Sequence, residues 1–324
     1  MIFFIFFLAC LGLPPALRRP LSASRLSTNK ERPMLLGLTV YLAVLAACVI
    51  FFNDRQSTAT FLINMLFGAS IVLITGLLDD IKNLSVVEKL TGQIAAACAA
   101  VFLGIRTSIV FIPEWMNIVL SLFWIVGLVN AFNFLDIMDG LCVGISLIIC
   151  AFFLSLSLIS GVCVLSAFFW ALAGAILAAF IYNKPKASFY LGDSGSMLLG
   201  YVFACSALQL SYAVDTGQGL ALFVPLMIMS LPIFDLAFTV YARKVKGISV
   251  FKKSPDHMAL LLRDKGYGRF KVLAVMYTIC LITGLNALLL QCLPPAFKPW
   301  VLSFFIFMAS GFIFICAKIT RAHN

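Results

Sequence analysis

The sequence predicts an all-α, polytopic integral membrane protein of about eleven transmembrane helices. Three observations predict it: an apolar composition, apolar runs long enough to cross a bilayer, and positive charge confined to alternate loops. Of 324 residues, 63% are hydrophobic and 11% are charged, whereas a soluble domain is about half apolar and a quarter charged. A helix through a hydrocarbon core of about 30 Å needs roughly 17 apolar residues or more. Such runs fall at roughly 1–17, 34–52, 60–78, 91–105, 116–135, 140–160, 161–182, 196–213, 219–241, 272–292 and 299–318. Transmembrane β-strands would be shorter and would alternate, so the spans are read as helices. The whole chain, 1–324, reads as one membrane domain with polar loops near 18–33, 79–90, 130–140, 183–195 and 242–271.

Charge supplies the orientation. No basic residue precedes the first apolar run, and Arg18 and Arg19 follow it. That order argues against a removable signal peptide and predicts an external N-terminus. Eleven crossings from there put all but three of the 23 Lys and Arg, namely Arg55, Arg106 and Lys298, on the cytoplasmic side. The C-terminus is then cytoplasmic as well. The net charge of +10 is therefore a topology signal that also suits anionic lipid headgroups, and it does not indicate nucleic acid. The ten cysteines lie nearly all inside apolar runs without a CxxC pair, as small buried hydrophobes do.

Against this background the acidic residues stand out, because carboxylates at membrane depth are costly and mark functional sites. Asp54, Glu114 and Asp215 fall in short external loops and read as solvated. Asp79 and Asp80 end the third run. An adjacent pair can hold Mg²⁺ or take a proton from a phosphate or water, or it can be a solvated helix end beside Lys82. A second cluster, Asn130-Ala131-Phe132-Asn133-Phe134-Leu135-Asp136-Ile137-Met138-Asp139-Gly140, repeats a polar residue every third position. On a helix that stripe drifts by about 60° per step, which suggests a helix ending near Gly140 with amides and carboxylates facing an aqueous cavity. The alternative is a polar stripe that joins helices. A third cluster runs from Asn183 to Ser196, with Gly192 and Gly195 bracketing Asp193. Glycines let backbone N–H groups approach a phosphate at a helix N-terminus, and an aspartate there points to a metal–diphosphate site; a plain turn is the alternative. The 242–271 loop is rich in Lys and Arg and holds His257, one of two histidines, where cations could hold a diphosphate.

These residues, in their order and spacing from about 18 to 271, resemble the polyprenyl-phosphate N-acetylhexosamine-1-phosphate transferases. That family includes the phospho-MurNAc-pentapeptide translocase and the GlcNAc-1-phosphate transferases that start O-antigen and teichoic acid synthesis. Asp79 and Asp80 match its paired aspartates. Asn130, Asn133, Asp136, Asp139 and Gly140 match its Asn-x-x-Asn-x-x-Asp-x-x-Asp-Gly string. Tyr190, Gly192, Asp193, Gly195 and Ser196, preceded by Asn183, match a third string, and Pro232-Ile233-Phe234-Asp235 looks like a fourth. The chain departs from the family pattern in three places. Ile137 replaces a usual glycine, Arg32–Gly37 is a weak form of a Pro-rich double-Gly loop, and Ala259 and Leu260 stand where the terminal loop carries further histidines. These departures bear on the sugar more than on the reaction class.

The resemblance implies transfer of HexNAc-1-phosphate from a UDP-sugar, UDP-GlcNAc favoured, to polyprenyl (undecaprenyl) phosphate with release of UMP. It implies Mg²⁺, or Mn²⁺, held by Asp193 with Asn133 as a second ligand. Tyr190 is expected to stack on uracil, with Asn183, Asp139, Asn130 and His257 contacting the nucleotide-sugar. Asp79, Asp80 and Asp136 are then left for proton removal from the lipid phosphate. The expected partners are the UDP-sugar, polyprenyl phosphate and membrane lipids, with homodimerisation open and nucleic acid excluded. The expected location is a bacterial cytoplasmic membrane, with the active site on its cytoplasmic face. A CDP-alcohol phosphotransferase would continue Asp136-x-x-Asp139-Gly140 with Ala-Arg and further spaced aspartates, but Val143 and Gly144 follow instead. A transporter would place ionisable groups near the midplane in repeated halves, and neither feature is visible.

Overall fold

The computed structural model of the chain describes residues 1–18, 34–50, 57–210, 220, 223–249 and 256–322. Its named elements are all helices: α1 (Ile2–Arg18), α2 (Leu36–Ile50), α3 (Ser57–Lys82), α4 (Val86–Phe102), α5 (Glu114–Leu135), α6 (Leu141–Ile159), α7 (Cys163–Asn183), α8 (Gly192–Gln209), α9 (Phe223–Ile228), α10 (Ser230–Val245), α11 (Met258–Asp264), α12 (Arg269–Cys292) and α13 (Lys298–Ala322). The chain forms two compact units, Met1–Ser211 and Tyr212–Asn324.

Each apolar run of the sequence contains a helix that fills most of its described part, and the ninth is split at Met229 into α9 and α10. Pro232 explains the split, since it has no N–H for the carbonyl four residues earlier and its ring crowds that turn. Among the described residues five helices are long and apolar enough to cross a membrane, namely α3 from Thr58, α5, α6, α7 and α12. Large apolar side chains such as Phe67, Ile74, Phe123 and Leu158 point outward and are exposed, as a chain solvated by lipid requires. The chain is a helical membrane protein, with every named element among the described residues an α-helix.

In the first unit α8 is the central helix, packed by α2, α3, α5 and α6, and nearly all of its side chains are buried. Its Phe203 lies 5.6 Å from Phe132 of α5 and 6.0 Å from Phe153 of α6, ring centre to ring centre, and Phe153 stacks on Phe169 of α7 at 5.6 Å. These rings anchor four helices to one another by close apolar contact. The polar ends of α3, α5 and α8 are thereby held against a rigid core. The start of α4 is set by a capping box, in which Glu88 N–H donates to Ser85 Oγ at 3.3 Å and Ser85 N–H donates to Glu88 Oε2 at 2.8 Å. In the second unit α12 packs against α9, α10, α11 and α13.

Candidate active site

The carboxylates that the sequence scatters over more than a hundred residues meet at the start of α8. Asp80, at the end of α3, accepts hydrogen bonds from the backbone N–H groups of Asp193 (2.8 Å) and Ser194 (3.2 Å). It therefore clamps the first turn of α8, satisfying donors that have no partner inside the helix and placing negative charge at the positive end of the helix dipole. The approach depends on glycine. Gly192 has φ +73°, and a Cβ there would stand 2.7 Å from Asp80 Oδ2. On α3, a side chain at Gly76 would collide with the backbone of Ser194. The N–H groups that the Gly-x-x-Gly sequence appeared to offer to phosphate are thus engaged by Asp80.

Asp79 faces a different partner. Its Oδ1 accepts from Leu84 N–H at 2.7 Å and its Oδ2 from Lys89 Nζ at 2.9 Å. Lys89, on the first turn of α4, also donates to Asp193 Oδ2 at 2.6 Å, so one ammonium joins both carboxylates. The other oxygen of Asp193, Oδ1, accepts from Asn133 Nδ2 at 2.7 Å, and the same amide reaches Ser196 Oγ at 3.1 Å. Asp193 is consequently held between α4 and α5, a position that local sequence does not reveal. Lys89 was not among the residues singled out from sequence. The available signal was a lone cation in the helix that follows the aspartate pair, ten positions after Asp79.

Asp136 ends α5 and is half-buried in the turn before α6. Removal from bulk water, followed by the negative charges of Asp193, Asp80 and Asp139, pushes its carboxyl up to about 8. Among the described residues Lys89 pairs with Asp79 and Asp193, and this described part of the site carries more negative than positive charge. Asp139 Oδ2 accepts from Ala187 N–H at 3.3 Å, tying the 136–140 turn to the 184–191 loop. Among the described residues, no group of three or more His, Cys, Asp or Glu side chains converges closely enough to hold a metal by itself.

The amides divide by role. Asn133 reaches Asp193, as above. Asn130 Nδ2 instead donates to Gln93 Oε1 at 2.6 Å and to Val126 O at 2.8 Å, a pairing that joins α5 to α4. Asn183 is buried, accepting from Gly140 N–H at 3.1 Å and donating to Phe189 O at 3.2 Å. In this structure it fastens the turn that carries Asp136 and Asp139 to the loop that carries Tyr190. Tyr190 is half-buried, and its carbonyl accepts from Leu36 N–H at 3.4 Å in a bridge that also pairs it with Met34. The rest of the 32–37 motif, Arg32 and Pro33, lies outside the described residues, as do Lys252 and Lys253.

In the second unit His257 precedes α11 and is buried with Asp235 of α10. Its Nδ1 lies 3.1 Å from Asp235 Oδ2 and 3.3 Å from Thr239 Oγ1. Asp235 Oδ1 accepts from Met258 N–H at 3.0 Å. The sequence motif Pro232–Asp235 thus delivers a carboxylate to the one histidine of the loop, a role that spacing alone did not suggest.

Comparison with known proteins agrees with the motifs. Residues 62–211 match the profile of glycosyl transferase family 4. The chain is 30% identical over 280 residues to the decaprenyl-phosphate N-acetylglucosaminephosphotransferase of Mycobacterium leprae, covering 76% of this chain and 70% of that protein. It is 28% identical over 307 residues to a probable undecaprenyl-phosphate N-acetylglucosaminyl 1-phosphate transferase of Bacillus subtilis, covering 91% of this chain and 82% of the relative. It is also 28% identical over 280 residues to the phospho-N-acetylmuramoyl-pentapeptide-transferase of Staphylococcus haemolyticus, at 79% and 84% coverage. With the motifs, the helical membrane fold and the relatives in agreement, the chain belongs to glycosyl transferase family 4, the polyprenyl-phosphate N-acetylhexosamine-1-phosphate transferases.

Proposed function

We propose that this enzyme transfers HexNAc-1-phosphate, with UDP-GlcNAc as the favoured donor, to a polyprenyl phosphate of the undecaprenyl class, at the cytoplasmic face of a bacterial inner membrane crossed eleven times by the chain. The observation that carries the reading is Asp193, held at the start of α8 by Lys89 and Asn133 within a cluster of further carboxylates. An oxygen of the lipid phosphate attacks the β-phosphorus of the UDP-sugar. The new P–O bond forms as the bond from that phosphorus to the bridging oxygen breaks, and UMP leaves with the electron pair. Once its last proton is removed the lipid phosphate is a dianion and a competent nucleophile, so beyond that proton transfer positioning and charge neutralisation suffice.

The residues fit Mg²⁺. Their donors are hard oxygens with excess negative charge, and Mg²⁺ is commonly held by one or two carboxylates together with substrate phosphates. Asp193, with the oxygen of Asn133 as a second donor, would hold it once Lys89 and the Asn133 amide turn aside. Bound there, the ion would neutralise charge on the diphosphate and on departing UMP. Of the three acids expected to take a proton, Asp80 is engaged by the α8 backbone and Asp79 by Lys89 and Leu84. Asp136 is left, poised near neutral pH as a general base should be. Tyr190 stacks on the base and Asp139 contacts the nucleotide-sugar, with Asn183 and Asn130 shaping the pocket of the first unit from behind; His257 is assigned to a phosphate of the nucleotide-sugar on its chemistry.

The test is a panel of UDP-sugars with undecaprenyl phosphate in detergent, scored for UMP and for the lipid diphosphate product with and without EDTA. UDP-GlcNAc is expected to be the best donor. A preference for UDP-MurNAc-pentapeptide over every simple UDP-HexNAc would overturn the donor assignment, and absence of UMP release with every donor would overturn the reaction.

A further inference from the structure

We propose that Asp235 is a positioning residue that fixes a proton on His257 Nδ1, so that Nε2 is the ring atom that meets the diphosphate. The proposal rests on the reading of His257 as a phosphate contact and adds to it the atom and the control.

Hydrogen-bond accounting supports it. Asp235 is fully buried, and its ionised carboxylate can only accept. One oxygen takes Met258 N–H at 3.0 Å, and the other faces His257 Nδ1 at 3.1 Å. The second neighbour of Nδ1, Thr239 Oγ1 at 3.3 Å, has its only proton directed to Asp235 O at 2.7 Å. Among the described residues both neighbours of Nδ1 are therefore acceptors, and the proton facing Asp235 belongs to the ring. A hydrogen bond made by one ring nitrogen sets the state of the other, so with the proton on Nδ1 neutral His257 has an unprotonated Nε2, and charged His257 has there an N–H donor suited to a phosphate oxygen.

The surrounding charges keep the carboxylate in this role. Arg243, also buried, interacts electrostatically with Asp235 and with Asp256. Asp256 in turn pairs with Lys246 at 2.5 Å. Because Asp235 lies on α10 and its two acceptor contacts lie at the start of α11, it also fixes where the ring stands relative to the helix.

The test uses the full chain in detergent, labelled with ¹⁵N-histidine in a His323→Ala background, so that a single imidazole is observed. At a pH where the ring is neutral, the expected spectrum has the proton on Nδ1. In Asp235→Asn the amide oxygen can still serve Met258 N–H while its N–H faces Nδ1, so the proton is expected to move to Nε2. UMP release is expected to fall at least tenfold in Asp235→Asn and in His257→Ala, about 1.4 kcal/mol, and to fall little further when the two are combined. A wild-type proton on Nε2, an unchanged tautomer in Asp235→Asn, or additive losses would overturn the proposal. Should Asp235→Asn not fold, the wild-type spectrum alone decides. Normal turnover in His257→Ala would remove the phosphate contact, while the spectrum would still decide where Asp235 holds the proton.

Discussion

Asp80 offers the sharpest test of how the acidic cluster is built. In Asp80→Ala, the N–H groups of Asp193 and Ser194 both lose their partner. Loss of an ordinary N-cap costs about 1 kcal/mol, and a hydrogen bond to a charged group is worth about 1.5–3 kcal/mol. Two such bonds, partly replaced by water in the opened site, give an expected loss of about 2–4 kcal/mol. Asp80→Asn keeps one oxygen for Asp193 N–H but sets an amide N–H against Ser194 N–H, so about 1–2 kcal/mol is expected. Because Asp193 stands on the same turn, a displacement of about 1 Å would lower turnover up to about 100-fold. Heating detergent-solubilised protein and measuring the monodisperse fraction reads the stability, and UMP release per folded molecule reads the turnover. Asp80→Asn with wild-type thermal stability would refute the clamp, whatever its activity.

Three further outcomes follow from the same geometry. Asp193→Asn is expected to fold, with Lys89 still held by Asp79 at 2.9 Å, and to lose about 100-fold or more in turnover at limiting Mg²⁺; near-normal turnover there would exclude Asp193 as the metal ligand. Asp136 has its carboxyl raised to about 8, so the folded state holds a proton that the unfolded state releases near pH 4, and stability falls as pH rises through that window. Asp136→Asn should therefore be inactive yet more stable than wild type in EDTA above pH 8, and equal melting at pH 5 and pH 9 in both proteins would contradict this. Single cysteines at Lys184 and Glu114, in a background without native thiols, should label from opposite sides of the membrane. Labelling of both from one side would break the eleven-span topology.

Much of the fold was legible because its cause is local. Apolar runs in a lipid solvent must satisfy their backbone internally, so each run had to be a helix, and Pro232 explains the one that breaks. The structure brings Asp79, Asp80, Asn133 and Asp193 together, but how they pair was not legible in the sequence. Asn130, Asn133 and Asn183 are the same residue type, and only their partners separate them: Gln93 for Asn130, Asp193 for Asn133, and two backbone groups for Asn183. The paired aspartates looked equivalent, yet one caps a helix and the other meets a lysine. Lys89 drew no notice because a cation near a helix start on the basic side of a membrane protein is unremarkable until its partners are known.

By itself the sequence determined the membrane class, the helical elements, and the family with its chemistry, since these rest on composition, on run length and on motifs whose spacing is short. Only the tertiary structure decided which donor each acid faces. Asp80 and Asp193 lie 113 positions apart, and Lys89 and Asp193 lie 104 apart, so no local pattern encodes their contact. Their meeting depends on how α3, α4 and α5 pack around α8, and a carboxylate's role follows from the donor it faces in that packing.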